Sequence, residues 1–600
     1  MSQYHAPLKE MQFVLHELAG LDQVGKLPGF EDATPDTVAA ILVEAAKFAT
    51  EVLDPLNAVG DREGARRLDD GSVKTPTGFK DAYLQYCANG WNGLTKSPEF
   101  GGQGLPQLVA TAVEEMWHAA NMAFDLCPLL TQGAIEAIEL CGTPEQKERY
   151  LPRMVSGEWA GTMNLTESQA GSDLAAVRTR AVPQADGSFK LYGQKIFITY
   201  GEHDYTENII HLVLARTPTA PEGVKGISLF IVPKFMINAD GSLGARNDVQ
   251  CVSIEHKLGI HASPTAVLAY GDHGGAVGYL VGQENRGLEY MFIMMNLARF
   301  SVGLEGVGIA ERAYQRAAAY AKERVQGRAV GEEKSAGTAT IIQHPDVRRM
   351  LLSMRSQTEA MRALAYVTAG ALDNANAHPD PEARKRHQAF AELMIPIVKG
   401  WCTETAQEIA YTGVQVHGGM GFIEETGAAQ HYRDARIITI YEGTTGIQAN
   451  DLIGRKTARD GGKTAAMVIA EMQKLDAELA QQPGAEFAAI RRELAAAVTA
   501  LSAAVEWIVR TYGSDPRAAH AASVPYLKLW GLAAGGWQMA RGALAAAKRL
   551  DQSDGDADFY RAKVTTARFY ADYYLPQTAA LKHAVLTAGE SVLALADEQF

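Results

Sequence analysis

The sequence predicts an α+β chain, mainly α, in which helical domains flank a small antiparallel β domain. Three observations carry this. Apolar residues recur at helical spacing from Thr34 to about Ser156. Short β-branched and aromatic runs separated by turn residues replace them between about Trp159 and Val281. Helical spacing then returns from Gly287 onward. At 600 residues the chain is too long for one core. The expected units are an N-terminal arm (1–33), a helical domain (34–158), a β domain (159–282), a helical bundle (283–455) and a further C-terminal helical domain (456–600).

In order along the chain, the arm holds a short helix from Leu8 to Leu18. Thr34 followed by Pro35 reads as an N-cap and first helical position. Val38, Ile41, Leu42, Ala45 and Phe48 form an apolar stripe behind it. The Gly/Pro-rich stretch from Asn89 to Pro106 reads as a loop. Helices near Val109–Ala120 and Gln132–Leu140 follow it, and Thr143-Pro144-Glu145-Gln146 opens another. Six runs then read as strands: FKLYGQKIFIT, NIIHLVLART, GISLFIVPK, VQCVSIEHKL, TAVLAYG and AVGYLV. Asp186-Gly187 and Asp240-Gly241 mark turns, and the spacing reads as an antiparallel barrel or sandwich rather than βαβ units. Near the end Leu494, Val498, Leu501, Val505, Ile508 and Tyr512 alternate steps of four and three, a bundle seam.

Composition excludes several classes. The chain is 47% hydrophobic and 21% charged, ordinary globular values. No apolar run reaches the ~18 residues of a spanning helix, and the first residues lack the apolar core of a signal peptide. Five scattered cysteines, none spaced as CxxC, fit reduced thiols in the cytoplasm and give no metal framework. A net charge of −14 argues against a nucleic-acid partner. No P-loop, Rossmann glycine motif, HExxH or GxSxG elbow is present.

The stretch that carries chemistry is RDARIITIYEGTTGIQ, from Arg433 to Gln448. Its apolar run ends at Glu442, and apolar surroundings raise a carboxyl towards a useful base. Gly443 beside it permits a sharp turn. Glu442 alone also reads as a loop residue before a helix capped by Thr444 or Thr445. Four other segments stand out. Met163 to Asp173, MNLTESQAGSD, joins backbone donors around a Gly-Ser pair to adjustable hydroxyls. Phe197-Ile198-Thr199 sets an aromatic face beside a hydroxyl. Arg299 and Arg324 lie on a helical stretch, and Gln415-Val416-His417-Gly418-Gly419 is a glycine-rich helix end. Each taken alone also has a purely structural reading.

In this order and spacing the segments resemble the acyl-CoA dehydrogenase family over roughly residues 34–455. The resemblance implies helical, β-barrel and bundle domains holding FAD without a Rossmann motif. It implies flavin contacts at Met163, Leu165, Thr166, Gly171, Ser172, Phe197, Ile198, Thr199, Thr444 and Gly446. It further assigns Arg324, Gln415, Gly418 and Gly419 to the FAD of a neighbouring subunit, hence a homo-oligomer, expected as a dimer. Substrate contacts fall on Ser172, Asn296, Arg299 and Gly443, and no metal is implied. Most members carry the base in a Tyr-Glu-Gly-Thr loop, intact here as Tyr441 to Thr444. A minority carry it directly before the arginine matched by Arg299, where this chain has Ala298. The base is therefore Glu442, taking the α-proton of an acyl-CoA while the β-hydrogen leaves as hydride to the flavin.

Three positions depart from the family pattern. Ser168 stands for a usual proline, Phe197 for a usual tryptophan, and His344-Pro345 for His-Gln. The arm and the domain after Arg455 resemble the large bacterial members, among them 3-methylmercaptopropionyl-CoA and broad-range fatty acyl-CoA dehydrogenases. That resemblance favours 3-methylmercaptopropionyl-CoA or a short- or medium-chain acyl-CoA, with an electron-transferring flavoprotein as acceptor. The rival readings are an acyl-CoA oxidase using O₂ and a non-catalytic DNA-binding relative. Asp551, Asp554, Asp556 and Asp558, interleaved with the basic residues after 540, weigh against the latter.

Overall fold

The structure, a computed structural model, describes residues 3–333, 337–552 and 555–600, so Asp554 lies outside the described residues. The helices are α1 (Leu8–Phe13), α2 (Leu21–Val24), α3 (Pro35–Phe48), α4 (Asp54–Glu63), α5 (Phe79–Ala88), α6 (Gln107–Cys141) and α7 (Pro144–Val155) before the sheet. After it come α8 (Gly287–Glu323), α9 (Pro345–Ala377), α10 (Pro381–His417), α11 (Ala428–Ala435), α12 (Thr445–Asp451), α13 (Lys463–Leu479), α14 (Ala485–Ser514), α15 (Pro516–Ala521), α16 (Ser523–Asp551), α17 (Ala557–Tyr573) and α18 (Gln577–Val592). Contacts divide the chain into a bundle unit (Met1–Ala46, Pro106–Ala119 and Arg299–Phe600) and a sheet unit (Lys47–Leu105 and Ala120–Ala298).

Local chemistry explains several boundaries. The Thr34 hydroxyl accepts from the Thr37 N–H at 3.2 Å, the expected cap of α3. Thr143 and Gln146 form a reciprocal capping box at the start of α7. The two helices expected between Val109 and Leu140 are one helical span, α6, broken only at Asn121 (φ −159°, ψ 83°). The Asn121 side-chain oxygen Oδ1 then caps the continuation by accepting from the Phe124 N–H. Pro128 lies in the second turn after that break, inside the helix, where it removes one i→i−4 hydrogen bond.

In the sheet unit, a two-stranded ribbon of β1 (Arg66–Arg67) and β2 (Val73–Lys74) precedes the main sheet. The main strands are β3 (Trp159–Asn164), β4 (Arg180–Pro183), β5 (Phe189–Thr199), β6 (Asn208–Ala215) and β7 (Ser228–Pro233), followed by a hairpin of β8 (Phe235–Ile237) and β9 (Leu243–Arg246). They continue with β10 (Val249–Ile254), β11 (Thr265–Tyr270) and β12 (Ala276–Val281). The ladder runs β10-β11-β5-β12-β7-β6-β3 with β4 beside β5. The strands expected from sequence are all present, but the barrel is corrected to an open sheet, since no ladder joins β3 to β10 among the described residues. The sheet is also not wholly antiparallel, because β3 runs parallel to β6.

The reason lies in β5, which is long enough to serve two partners on one edge. Its first half pairs with β12 and its second with β11. The sheet curls there around a core of Phe189, Leu191, Val213, Phe230, Val232 and Leu268. On its other side Ile210, Leu212, Leu229 and Ile231 pack with Ile135, Ile138, Tyr150 and Met154 of α6 and α7. Strands β6 and β7 are thus buried on both faces, which is why they read as continuous apolar runs.

In the bundle unit α9 packs on α10, and α16 packs on α10, α14, α17 and α18. Of the predicted seam residues Leu494, Val498, Leu501, Val505 and Ile508 are buried, and Tyr512 is half-buried. Among the described residues two helices are long and apolar enough to cross a membrane by length and composition, although charged residues interrupt both. They are Gly287–Glu323, with 72% of its most apolar window buried inside the protein, and Ala485–Ser514, with 44%.

Candidate active site

In the sheet unit, the structure brings together Met163 to Ser172 and Phe197 to Thr199. The Ile196 N–H donates to the Thr166 carbonyl at 2.9 Å. Lys195, fully buried, donates to the Leu165 carbonyl at 3.0 Å and to Glu167 at 2.8 Å. Glu167 also accepts from Gln169, from the Arg178 N–H and from both the N–H and hydroxyl of Thr179. Burial pushes this carboxyl up, but Lys195 and the other donors outweigh it and hold it at about 2. Burial likewise draws Lys195 down to about 8 against the pull of Glu167, so the pair stays ionised at neutral pH. This ion pair, missed in the sequence, fastens the first segment to β5. The signal for it was a glutamate and a lysine, each set among apolar or hydroxyl residues.

Phe197 projects from a β-bulge. Leu268 pairs with Lys195 and Ala266 with Ile198, so Ile196 and Phe197 face the single residue Val267. Phe197 has φ +59° and is 58% exposed. A bulky residue in the left-handed region is strained, and a bulge is a usual device for re-aiming a side chain. In these two segments Thr166, Ser172 and Thr199 offer hydroxyls that donate to nothing among the described residues. Gly171 is open, with no atom within 4 Å of the place a Cβ would occupy. Met163 and Ile198, by contrast, are core residues, so only their backbone is available to a ligand. Leu165 is partly buried beside the same core, and Asn296 is exposed on α8.

In the bundle unit, Glu442 sits on a turn between the short 3₁₀ segment Arg436–Thr439 and α12. Glu442 has φ +54° and Gly443 φ +91°, two successive left-handed residues. The Thr444 hydroxyl accepts from the Ile447 N–H at 3.2 Å, so the cap expected of this loop is real and Gly446 lies in the first turn it caps. Lys399 donates to the Gly443 carbonyl at 2.7 Å. Gln448 donates to the Glu442 and Gly443 carbonyls, both at 3.2 Å. The Tyr441 hydroxyl donates to Glu305.

The carboxylate and the N–H of Glu442, by contrast, make no hydrogen bond among the described residues. Burial pushes the carboxyl above its ordinary range, with Arg299 and Lys399 opposing. Arg299 is 5% exposed and paired with Asp451 at 3.5 Å, its Nε unpartnered. Glu305 is driven by burial up to about 8, opposed by Tyr441 and Lys399. Lys399, Gln448 and Glu305 escaped the sequence reading. Their signal was a charged or amide residue inside an apolar helical run, as in Ile395 to Trp401.

Arg324, Gln415, Gly418 and Gly419 are all exposed. The structure brings the ends of α8 and α10 together, since the Tyr320 and His417 rings stack at 4.5 Å. Gly418, with φ +60°, ends α10, and Met420 and Phe422 beyond it are exposed. His344 and Pro345 start α9 as N-cap and first residue, and the His344 ring lies 2.7 Å from the Gln326 carbonyl.

Four family models match in chain order. They are the acyl-CoA dehydrogenase N-terminal domain (residues 36–158), middle domain (162–272) and C-terminal domain (285–456), and the acetyl-CoA dehydrogenase C-terminal-like domain (468–596). A 3-methylmercaptopropionyl-CoA dehydrogenase of Ruegeria pomeroyi is 51% identical over 590 residues, 98% of this chain and 99% of its own length. The broad-specificity linear acyl-CoA dehydrogenase FadE5 of Mycobacterium tuberculosis is 35% identical over 618 aligned residues, covering 100% of both chains. In fold, the chain is like a solved acyl-CoA dehydrogenase complexed with FAD from Bacillus anthracis. The TM-score is 0.74 at 23% identity, over 98% of this chain and 93% of that one. With that fold, and with identity that runs through every domain, this chain belongs to the acyl-CoA dehydrogenase family.

Proposed function

We propose that the chain oxidises an acyl-CoA thioester between Cα and Cβ to a trans-2-enoyl-CoA, with Glu442 as the base and 3-methylmercaptopropionyl-CoA as the substrate. The observation that carries the reaction is Glu442 itself, a carboxyl raised by burial, on a turn where neither that carboxyl nor its own N–H makes a hydrogen bond among the described residues. The raised carboxyl takes the α-proton near neutral pH. The free N–H donates to the thioester carbonyl as negative charge develops there. Arg299, close in α8, opposes the effect of burial and so favours the ionised form of Glu442 that takes the proton. The identity to the Ruegeria enzyme supports the choice of acyl group.

FAD, when bound, supplies the acceptor for the β-hydride. The two segments fit a flavin: an exposed aromatic face on a bulge at Phe197, hydroxyls at Thr166, Ser172 and Thr199 that are unspent among the described residues, and an open glycine at Gly171. Met163, Leu165 and Ile198 contribute backbone or apolar contact, and the family resemblance assigns Thr444 and Gly446 to FAD as well. The same resemblance assigns Ser172, Asn296, Arg299 and Gly443 to acyl-CoA contact. The exposed group of Arg324, Gln415, Gly418 and Gly419, with apolar Met420 and Phe422 beside it, suits contact with a second copy and its FAD. The working unit is thus a homodimer in the cytoplasm, reoxidised by an electron-transferring flavoprotein.

The test is anaerobic flavin bleaching. Glu442→Gln should keep its yellow FAD and bind acyl-CoA, while bleaching slows by about 10²–10⁴-fold. Bleaching at the wild-type rate would move the base elsewhere. Among butyryl-, octanoyl- and 3-methylmercaptopropionyl-CoA the last should give the highest kcat/KM, and a higher value for either straight chain would refute the substrate.

A further inference from the structure

The Glu442–Gly443 turn is fastened from three helices, and one of the fastenings is unusual. Lys399 is fully buried in the apolar run Ile395 to Trp401 of α10. A buried ammonium normally requires a carboxylate partner. Among the described residues Lys399 makes one hydrogen bond, to the neutral Gly443 carbonyl at 2.7 Å, and no salt bridge. Gln448, equally buried, reaches back from α12 to the same carbonyl and to that of Glu442. Glu305 of α8 holds the preceding residue, Tyr441. A left-handed glutamate is strained, and such conformations persist only where the surroundings over-determine them. Here three hydrogen bonds to two consecutive carbonyls do so.

We propose that Lys399 is a positioning residue for this reaction: it grips the Gly443 carbonyl, holds the turn in its left-handed form, and places a positive charge near Glu442. The inference rests on the reading of Glu442 as the base. It explains why the lysine points at a carbonyl rather than at either nearby carboxylate. A salt bridge to Glu442 would occupy the atom that takes the proton, whereas a grip one residue later steers the base and leaves it free. The charged and titratable groups around Glu442 are Arg299 and Glu305 from α8, Lys399 from α10, and Tyr441 on its own segment. Asp451 of α12 faces it through its pairing with Arg299, and Glu404 of α10 lies in the field of Lys399.

The experiment compares Lys399→Met, Lys399→Arg and Gln448→Leu as FAD-loaded enzymes, measuring KM, kcat and the pH profile of kcat/KM. Lys399→Met should lower kcat by about 10²-fold through misplacement of the base, with KM changed far less. Its acid limb should move up by about one unit, because Glu442 has lost a nearby cation and ionises later. Lys399→Arg, retaining charge and donors, should restore the limb and part of kcat. Gln448→Leu should lower kcat without moving the limb. An unmoved limb in Lys399→Met, with kcat within about twofold of wild type, overturns the proposal. If Lys399→Met does not retain FAD, a Lys399→Arg enzyme whose limb moves up as far as about one unit does the same. Failure of the underlying reading is separate: then Glu442→Gln itself would bleach at the wild-type rate.

Discussion

Replacing Glu305 by glutamine is expected to stabilise the protein at neutral pH. Glu305 is fully buried, one oxygen accepting from Tyr441 and the other without a partner among the described residues. Burial carries it from an ordinary 4.5 up to about 8. Between those values the folded chain holds a proton at Glu305 that the unfolded chain has released. The native state therefore binds more protons, and this group's contribution to stability falls as pH rises through the window, by about 1.4 kcal/mol per unit. From 4.5 to 7 the loss amounts to about 3 kcal/mol. Glutamine matches the side chain in shape, keeps an oxygen for the Tyr441 hydroxyl and does not titrate. Urea unfolding of wild type and Glu305→Gln at pH 5, 6, 7 and 8 isolates the effect as a difference. That difference should be near zero at pH 5 and favour the variant by about 3 kcal/mol at pH 7. A difference that stays flat across the range would mean that Glu305 is already ionised in the folded protein, and the argument would fall.

Two further outcomes follow from the same structure. Gly443→Ala places a methyl 2.7 Å from the Gln448 amide nitrogen at φ +91°, a strain of about 1–3 kcal/mol; single-turnover bleaching should slow while FAD is retained, and an unchanged rate would show that the turn tolerates a side chain. Lys563→Met leaves Glu10 and Glu359 buried without the ammonium that both contact, at 2.6 and 2.8 Å, and should cost about 3–5 kcal/mol in urea unfolding at pH 7. Glu359 is held at about 2 because Lys563 and Arg355 outweigh the effect of burial. Its stabilisation is therefore present above about 4.5 and lost as pH falls towards 2, and the variant should lose that acid sensitivity.

What the sequence made legible was whatever depends on local pattern. The stripe behind Thr34, the seam from Leu494 to Ile508 and the runs of β6 and β7 all follow from periodicity and burial, and each is found. The curl of the sheet was not legible, because it depends on β5 changing partners halfway along and on a bulge at Phe197, which a strand's alternation does not encode. At the proposed site, Glu442 could be singled out because its motif is contiguous. Lys399, Glu305 and Gln448 could not, because their meaning lies in what they face across helices. Lys399 and Glu305 stand about 40 and 140 residues from the turn, and within their own helices they read as isolated polar interruptions of an apolar face.

The C-terminal domain takes part in the same construction. At Gly531 of α16 a Cβ would lie 2.1 Å from the Trp401 ring, and at Gly535 2.7 Å from it. Gly400, the residue after Lys399, admits Leu527 of α16, with a Cβ position 2.5 Å from that side chain. The extension is therefore packed into the stretch of α10 that presents Lys399, too closely for either helix to shift without the other. It also secures the helix on the far side of the turn. The His520 ring meets Asn450 of α12 at 2.9 Å, and the Tyr526 and Thr457 hydroxyls lie 3.1 Å apart. Lys399 and Gln448 grip the turn from α10 and α12, and α16 with its neighbours holds both helices from behind. A glutamate kept in a strained left-handed conformation needs such backing, since a grip on its carbonyls is only as firm as the helices that supply it. On this reasoning the extra domain bears on the turn without touching it, by packing against the two helices that grip it.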